Sequence, residues 1–300
     1  MQNYPKIAQK MVRELAEIAS ADPGRAIAFQ GAPGANSHMA AGRYAPDMLP
    51  MPCFSFADAM EAVKEGSAAL AIIPIENSQN GRVADIHFLL PESGLFIVDE
   101  FFLPIHHCLM AIGDATADRR FTEALSHPQA LGQSRHFLRQ KGIEPAAYTD
   151  TAGAAARVAE LADPDVAAIA PRLAAELYGL TIIEDHVQDA DHNMTRFVVL
   201  ARDSVTPDAE RGPVMTTLLF EVKNIPAALF MALGGFATNG VNLTKLESYI
   251  RGGSFAAAEF YVDIEGMPGQ PPVDRALEVL GHHSKWVRVL GSYLQARNRE

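Results

Sequence analysis

The stretch LAIIPIENS at residues 70–78 is an apolar run that ends in three polar residues. A short apolar run without helical periodicity is typical of a strand that is buried on both faces. A carboxylate that follows such a run must be paired, hydrogen bonded or functional, because burying an isolated charge is costly. Glu76 is therefore either a structural partner or a site residue, and the sequence leaves both interpretations open.

Similar apolar runs lie on both sides of this stretch and alternate with helical patterns. An amphipathic helix at about 5–20 comes first. The further strand candidates are IAF (27–29), LFIVDE (95–100) and VAAIA (166–170), and helical patterns lie at 56–65, 81–90, 128–140 and 151–162. Strands that alternate with helices predict an α/β fold whose buried strands are largely parallel.

A polar segment at 203–213 separates this region from a C-terminal part in which the predicted helices and strands follow a different order. We predict an N-terminal helical extension (1–24), a first domain (25–202), a linker (203–213) and a second domain (214–293). The second domain is predicted as strand 216–222, a helix from Pro226 to Asn239, strands 241–250 and 255–266 joined by the turn Arg251-Gly252-Gly253, helix 273–284 and strand 286–293. This βαββαβ order is ferredoxin-like, and the helix-free face of its sheet predicts docking to a second copy.

Composition narrows the class of partner. The formal net charge of -11 argues against nucleic acid or an anionic membrane, because both require a basic face. Cys53 and Cys108 fit neither a disulfide framework nor a zinc spacing, and the histidines form no metal motif such as HExxH. We find neither a signal peptide nor an apolar run of about 18 residues, so we expect a cytoplasmic protein.

Four segments share one design, in which a strand or loop ends in small polar residues that then open a helix. They are Gly31 to His38, Glu76 to Ser78, Ser126 to Gln129 and Thr149 to Thr151. Helix N-termini expose unpaired N–H groups and attract anions, and ligands of open α/β sheets bind where strand ends meet helix starts. Several such starts facing one cleft would hold a small dianion despite the negative net charge.

Structural interpretations compete at each of these segments. Ser126 and Gln129 form a capping-box pattern, with Gln133 one turn further on the same helix face. Asp150 fits a helix cap, and the glycine loop lacks the GxGxxG spacing of a dinucleotide site. In NMTRF (193–197), Thr195 and Arg196 must point to opposite faces of a strand, so both cannot enter one pocket. The histidines beside these segments, His38, His127 and His192, are interpreted as mainly structural.

Taken together, these segments resemble prephenate dehydratase. The resemblance rests on FQGAPGANSHMAA (29–41), IPIENSQNGRV (73–83), SHPQALGQSRHFL (126–138), AAELYGL (174–180) and NMTRF (193–197), in the family's order. The remainder resembles the ACT domain through PAALF (226–230), GVNLTKLES (240–248) and FYVDIEG (260–266). The resemblance implies an α/β fold with a two-lobed catalytic domain like type II periplasmic binding proteins, followed by a ferredoxin-like ACT domain.

The resemblance also implies roles for particular residues. The catalytic set is Thr195, Glu76, Asn77, Gln133 and Ser126, and the substrate-binding set is Phe197, Arg196, Ser37 and Ser78. Phenylalanine as effector is expected at Ala228, Leu229, Asn242, Leu243, Glu247 and Ser248. The glycine loop departs from the family pattern at Ala35-Asn36, and the ACT motifs depart at Ala227-Ala228 and Tyr249-Ile250.

The implied reaction is loss of carbon dioxide and hydroxide from prephenate, which makes the ring aromatic and gives phenylpyruvate. We expect Thr195 to donate a hydrogen bond to the departing hydroxyl, with Phe197 excluding water. Arogenate is an alternative substrate, and a non-catalytic amino-acid sensor is the alternative from another class. The expected assembly is a homodimer or homotetramer that is regulated by phenylalanine.

Overall fold

The computed structural model describes residues 4–83, 86–114, 119–250 and 258–297. The described helices are α1 (Lys6–Ala21), α2 (Asn36–Tyr44), α3 (Phe56–Lys64), α4 (Ile86–Ser93), α5 (Pro128–Gln133), α6 (Arg135–Lys141), α7 (Thr151–Leu161), α8 (Arg172–Tyr178), α9 (Ala228–Thr238) and α10 (Pro271–His283). The chain divides into two compact units, one made of 1–86 and 101–197 and the other of 87–100 and 198–300.

The strands form three sheets. They are β1 (Ala26–Gln30), β2 (Leu49–Cys53), β3 (Leu70–Asn77), β4 (Gly81–Arg82), β5 (Phe96–Pro104), β6 (Cys108–Ala111), β7 (Glu123–Ser126), β8 (Glu144–Ala147), β9 (Val166–Ala170), β10 (Thr181–Glu184), β11 (Met194–Ala201), β12 (Val214–Val222), β13 (Leu243–Ile250), β14 (Ala258–Glu265) and β15 (Ser284–Leu294). The sheet orders are β2-β1-β3-β11-β5 with β4 beside β3, then β10-β6-β9-β7-β8, and β13-β14-β12-β15.

The chain passes from the first sheet to the second after β5 and returns after β10, so two segments connect these sheets. The predicted parallel pairing holds for β1 with β2 and β3, and for β7 with β8 and β9. It fails at β6, which runs antiparallel to β9 and β10. The resulting fold is mixed α/β.

The continuous apolar run in β9 follows from burial on both faces. Val166, Ala168 and Ala170 belong to one buried cluster, whereas Ala167 and Ile169 belong to another. Side chains alternate between the faces of a strand, so a central strand covered on both sides needs an apolar residue at every position. The N-terminal helix α1 is part of the same unit, where it packs against β2 and α7.

Two predicted helices differ from the structure. The 81–90 pattern begins as β4, because Asn77 Oδ1 accepts hydrogen bonds from the Gln79 and Asn80 amides and turns the chain back onto β3. The 128–140 pattern is two helices separated at Ser134. The Asp189 amide donates to the Gln133 carbonyl, and its carboxylate accepts from the His136 amide, so Asp189 satisfies groups at the break.

The second unit contains the predicted βαββαβ order, with all sheet neighbours antiparallel. Helix α9 begins at Ala228 rather than Pro226, after Ala227 adopts a positive φ of 62°. The predicted turn at 251–253 and residues 255–257 of the predicted strand lie outside the described residues. One sheet face packs with α9 and α10 around Leu218, Phe220 and Val262.

The other sheet face was predicted to be free for a second copy, and in the structure part of it is covered. Segment 87–100 contacts this sheet: the Phe88 ring packs against that of Tyr249, and Arg288 Nη1 donates to the Pro91 carbonyl at 2.5 Å. Leu219 and Asp263, on strands β12 and β14, are fully buried. The chain thus supplies part of the cover for a sheet face that the predicted βαββαβ order assigned to a second copy.

None of the described helices has both the length and the apolar character that a bilayer-spanning helix requires. Within the same residues, no group of three or more His, Cys, Asp or Glu is arranged to hold a metal ion. Cys53 and Cys108 are both buried and free.

Candidate active site

A cavity of about 450 Å³ lies in the first unit, where strand ends meet helix starts. Gln30, Asn77 and Thr195 reach it from β1, β3 and β11, and residues at the starts of α2, α5 and α7 also line it. The predicted convergence of helix starts on one cleft is therefore confirmed for three of the four segments. The fourth segment, Glu76 to Ser78, contributes Asn77 from the end of a strand.

The helix starts at this cavity are capped in different ways. Asp150 caps α7, because its Oδ1 accepts from the Gly153 amide at 2.6 Å, as predicted. The predicted capping box at α5 is absent: His127 is the N-cap and accepts from the Gln129 amide. Ser126 is instead completely buried and donates to the Ile169 carbonyl at 2.5 Å, which joins β7 to β9 and keeps its hydroxyl out of the cavity lining.

The cavity is lined by both polar and apolar residues and is almost uncharged. Among the described lining residues there is no Lys or Arg, and Asp150 is the one carboxylate. Burial is the main factor that lowers the pKa values of His107 and His127, so both rings are neutral near pH 7. Any attraction that this cavity exerts on an anion must therefore come mainly from backbone N–H groups and side-chain amides.

A chain of hydrogen bonds fixes the direction of the Thr195 hydroxyl. Asn77 Oδ1 accepts from two backbone amides, at 2.9 Å from Gln79 and 3.0 Å from Asn80, so Asn77 Nδ2 must lie on the other side. This Nδ2 donates to Thr195 Oγ1 at 2.9 Å. Because Thr195 Oγ1 accepts that bond, its own proton is left to donate to a ligand.

The same chain continues to two residues that sequence reasoning missed. Asn77 Nδ2 also donates to Asn193 Oδ1 at 2.8 Å, and Asn193 Nδ2 donates to Gln133 Oε1 at 2.9 Å. His107 Nε2 lies 3.1 Å from that same Gln133 oxygen. The NMTRF motif contains Asn193, but no sequence signal separated His107 from its neighbour His106.

Glu76 and Arg196 lie outside the cavity lining. Arg196 is 2% exposed and its Nη1 donates to Glu76 Oε1 at 2.9 Å, whereas Thr195 and Phe197 line the cavity. The predicted alternation of Thr195 and Arg196 is thus confirmed. For Glu76, the geometry shows the structural-partner alternative, an ion pair with a buried guanidinium.

Ser37 and Ser78 differ in position. Ser37 is buried at the start of α2 and lines the cavity. Ser78 does not line it: its Oγ donates to the His192 carbonyl and accepts from the Met194 amide, both at 2.9 Å. Ser78 therefore ties the end of β3 to the start of β11 and holds Asn77 beside Thr195.

His38 supports the glycine loop and predicts a pH dependence of stability. Its ring stacks on Phe29 at 4.9 Å, its Nδ1 accepts from the Gly34 amide, and burial lowers its pKa to about 4. The folded protein favours the neutral ring, so this contribution is complete above the unfolded pKa of about 6.5 and is lost as the pH falls toward 4.

We expect His38 to contribute about 2 kcal/mol to this loss, measured as the unfolding free energy at pH 7 and pH 4. His38→Asn, which removes the titrating group, should reduce the difference between the two pH values by that amount. An equal pH dependence in both proteins would contradict the assignment.

The expected effector residues lie in the second unit. Ala228 is buried at the start of α9, and Leu229 and Leu243 pack against the buried apolar cluster between this sheet and helices α9 and α10. The Asn242 carbonyl accepts from the Glu265 amide at 3.0 Å, and Glu247 pairs with Lys245 at 2.7 Å. Ser248 is exposed on β13.

Comparison with known proteins decides the family. The family model for prephenate dehydratase matches residues 27–205. The chain belongs to the prephenate dehydratase family. The family's enzymes are carbon–oxygen lyases of aromatic amino-acid biosynthesis.

Relatives in this family differ in their stated activities. The chain is 48% identical over 270 residues to a bifunctional N-acyl-homoserine lactone acylase/prephenate dehydratase of Komagataeibacter europaeus, covering 90% of this chain and 95% of that one. It is 38% identical to arogenate dehydratase/prephenate dehydratase 6 of Arabidopsis thaliana, covering 89% and 68%. A solved prephenate dehydratase of Arthrobacter aurescens in complex with L-Phe matches with a TM-score of 0.81 and 29% identity, covering 90% of both chains.

Proposed function

We propose that this chain converts prephenate to phenylpyruvate, the decarboxylative dehydration that leads to phenylalanine. The observation that carries the proposal is the Asn77–Thr195 hydrogen bond, which leaves a hydroxyl proton to donate in a cavity whose described lining residues include no Lys or Arg. Family membership supports the reaction class. The reaction needs no redox step or electron sink, because aromatisation of the ring drives it.

The proposed step breaks two bonds that join substituents to the ring. The ring carboxylate leaves as carbon dioxide, its bonding electrons enter the ring, and the carbon–oxygen bond on the opposite side breaks. Thr195 donates a hydrogen bond to the departing oxygen, a water molecule protonates that oxygen so that it leaves as water, and the hydroxide formed from the donor water passes into solvent. Asn77 holds the Thr195 hydroxyl in that direction, and Gln133 forms a hydrogen bond with the same departing oxygen.

The lack of Lys and Arg among the described lining residues suits this chemistry. A Lys or Arg beside the ring carboxylate would stabilise the charge that must be lost as carbon dioxide, and would therefore oppose the reaction. Phe197 supplies an apolar wall against the ring. The second carboxylate, which stays on the product, is proposed to bind at the start of α2 near Ser37.

The remaining predicted residues are proposed to position this set. Ser78 and Ser126 join neighbouring strands through the hydrogen bonds given above, and Arg196 with Glu76 anchors β11 to β3 from the face away from the cavity. None of these four lines the cavity in the described residues. Their replacement should therefore reduce stability before it changes the chemistry.

The test is turnover of purified protein with prephenate, followed by the ultraviolet absorbance of phenylpyruvate, and in parallel with arogenate, followed by formation of phenylalanine. Activity on prephenate supports the proposal. Activity on arogenate alone would instead support the alternative substrate, which has an amine in place of the ketone of prephenate. Absence of both activities, with the protein folded, would favour a non-catalytic amino-acid sensor.

A second candidate function follows from similarity to the Komagataeibacter europaeus relative, whose name includes N-acyl-homoserine lactone acylase. A solved structure described as a quorum-quenching acylase also matches with a TM-score of 0.84 and 46% identity. We propose this as an additional activity, to be tested by release of homoserine lactone from an N-acyl substrate. Thr195→Val would show whether the cavity serves both reactions.

We further propose that the chain consists of an N-terminal helical extension (1–24), a catalytic domain of two lobes like periplasmic binding proteins (25–202), a linker (203–213) and an ACT regulatory domain (214–293). The two sheets of the first unit support the lobes, and the βαββαβ order supports the ACT domain. A homodimer or homotetramer and a cytoplasmic location stay predictions.

Phenylalanine is the proposed effector, in line with the relative that was solved with L-Phe. We expect millimolar phenylalanine to change the rate of prephenate turnover. Asn242→Ala should raise the phenylalanine concentration for half the effect by ~10-fold, which corresponds to one lost hydrogen bond. An unchanged rate with phenylalanine present would defeat the regulatory proposal and leave the catalytic one standing.

A further inference from the structure

His107 is a buried histidine at the cavity that the mechanism above does not use. It is 2% exposed, lines the cavity and follows β5 in one of the two segments that connect the sheets. Its Nε2 lies 3.1 Å from Gln133 Oε1. Its Nδ1 is buried and has no hydrogen-bond partner among the described residues.

The tautomer of this ring follows from the chain of amides that reaches it. Two backbone N–H groups can only donate, so they fix Asn77 with its oxygen toward them and its nitrogen toward Asn193. The oxygen of Asn193 then faces Asn77, and its nitrogen faces Gln133. Gln133 must therefore present its oxygen to both Asn193 and His107.

Because Gln133 Oε1 is an acceptor, His107 Nε2 must carry the proton of the neutral ring. The ring atom without a partner is then Nδ1 as a bare acceptor rather than a donor. A buried acceptor without a partner is tolerated more readily than a buried orphan N–H. The acceptor at Gln133 Oε1 and the unpartnered Nδ1 thus both select the tautomer with its proton on Nε2.

We infer that His107 is a positioning residue for the dehydration: its Nε2–H holds Gln133 Oε1 and thereby turns the Gln133 NH₂ group toward the ligand. Gln133 lines the cavity, and its nitrogen has no protein acceptor among the described residues. A reversed amide would present an oxygen to a doubly negative ligand. Because the lining includes no Lys or Arg among the residues that the structure describes, one reversed amide dipole is a large change.

The kinetic test, which rests on the proposed function, uses three variants. His107→Phe removes the N–H and keeps a ring, and should lower kcat by ~10²-fold with KM within about threefold, as for a displaced reacting group. His107→Gln restores an N–H near the position of Nε2 and should recover kcat to within ~10-fold of the native value. The control is His106→Phe, which changes the neighbouring ring, does not line the cavity, and should leave kcat within about twofold.

A second measurement tests the inference without turnover. Long-range ¹H–¹⁵N spectra of the native protein at pH 7 should show His107 protonated at Nε2 and bare at Nδ1. A proton on Nδ1, a charged ring at pH 7, or full kcat in a folded His107→Phe variant would each overturn the inference. Absence of turnover in the native protein would instead defeat the proposed function, and the spectrum would still decide the tautomer.

Discussion

Replacing Thr195 with valine lowers kcat by ~10²–10⁴-fold and leaves KM within about threefold. Valine has nearly the same shape, so packing at this 8% exposed position is kept while the hydroxyl is lost. The loss appears in kcat because the bond to the departing oxygen strengthens only as charge develops on that oxygen. Steady-state kinetics with prephenate would measure it.

Thr195→Ser is the matched control, because serine keeps a hydroxyl that can accept from Asn77 Nδ2. It should retain kcat to within ~10-fold, with the remaining loss due to the freer rotation of serine. A valine variant with native kcat would remove Thr195 from the mechanism. Equal losses in both variants would show that packing, rather than the hydroxyl, matters at this position.

Replacing Gly291 with alanine lowers the free energy of unfolding by about 3 kcal/mol or more. A Cβ atom at this position in β15 would overlap the carbonyl oxygen of Ile97, and its carbonyl carbon and amide are within 3.0 Å as well. Backbone atoms cannot move aside as a flexible side chain can. The alanine variant must therefore separate segment 87–100 from the sheet or unfold both.

Gly281→Ala is the control for this substitution. Gly281 lies in α10 with no atom within 4 Å of the position of an added Cβ. Alanine there should raise the unfolding free energy by about 0.5–1 kcal/mol, because glycine costs more backbone entropy in a helix. Denaturant unfolding of both variants gives the comparison. Native stability in Gly291→Ala would mean that this close approach does not hold the unit together.

The periodicity of apolar residues predicted where helices and strands lie better than it predicted where a helix is interrupted. The β9 and α7 patterns are governed by local burial and appear at the expected residues. The break at Ser134 depends on Asp189, more than fifty residues away, whose amide and carboxylate take over groups that a continuous helix would pair. No window of sequence around Ser134 contains that information.

The candidate site was likewise predicted only in part from the sequence. Strand alternation was enough to place Thr195 and Arg196 on opposite faces, and helix-start motifs predicted the cavity walls. It was not enough to separate Glu76 from the cavity, because a carboxylate after an apolar run fits an ion pair as well as a site. Asn193 and His107 became recognisable only through hydrogen bonds that join distant segments.

The proposed way in which this cavity binds an anion affects how it tolerates mutation. The attraction is divided between backbone N–H groups at the starts of helices and side-chain amides, so no single side-chain exchange removes all of it, as loss of a lysine would in a site built on one cation. In a saturation scan, weak substrate capture should concentrate at proline substitutions, or at residues that distort the loop around Gly34, which has a φ of 93°. Slow chemistry should concentrate at the hydroxyl and amide positions.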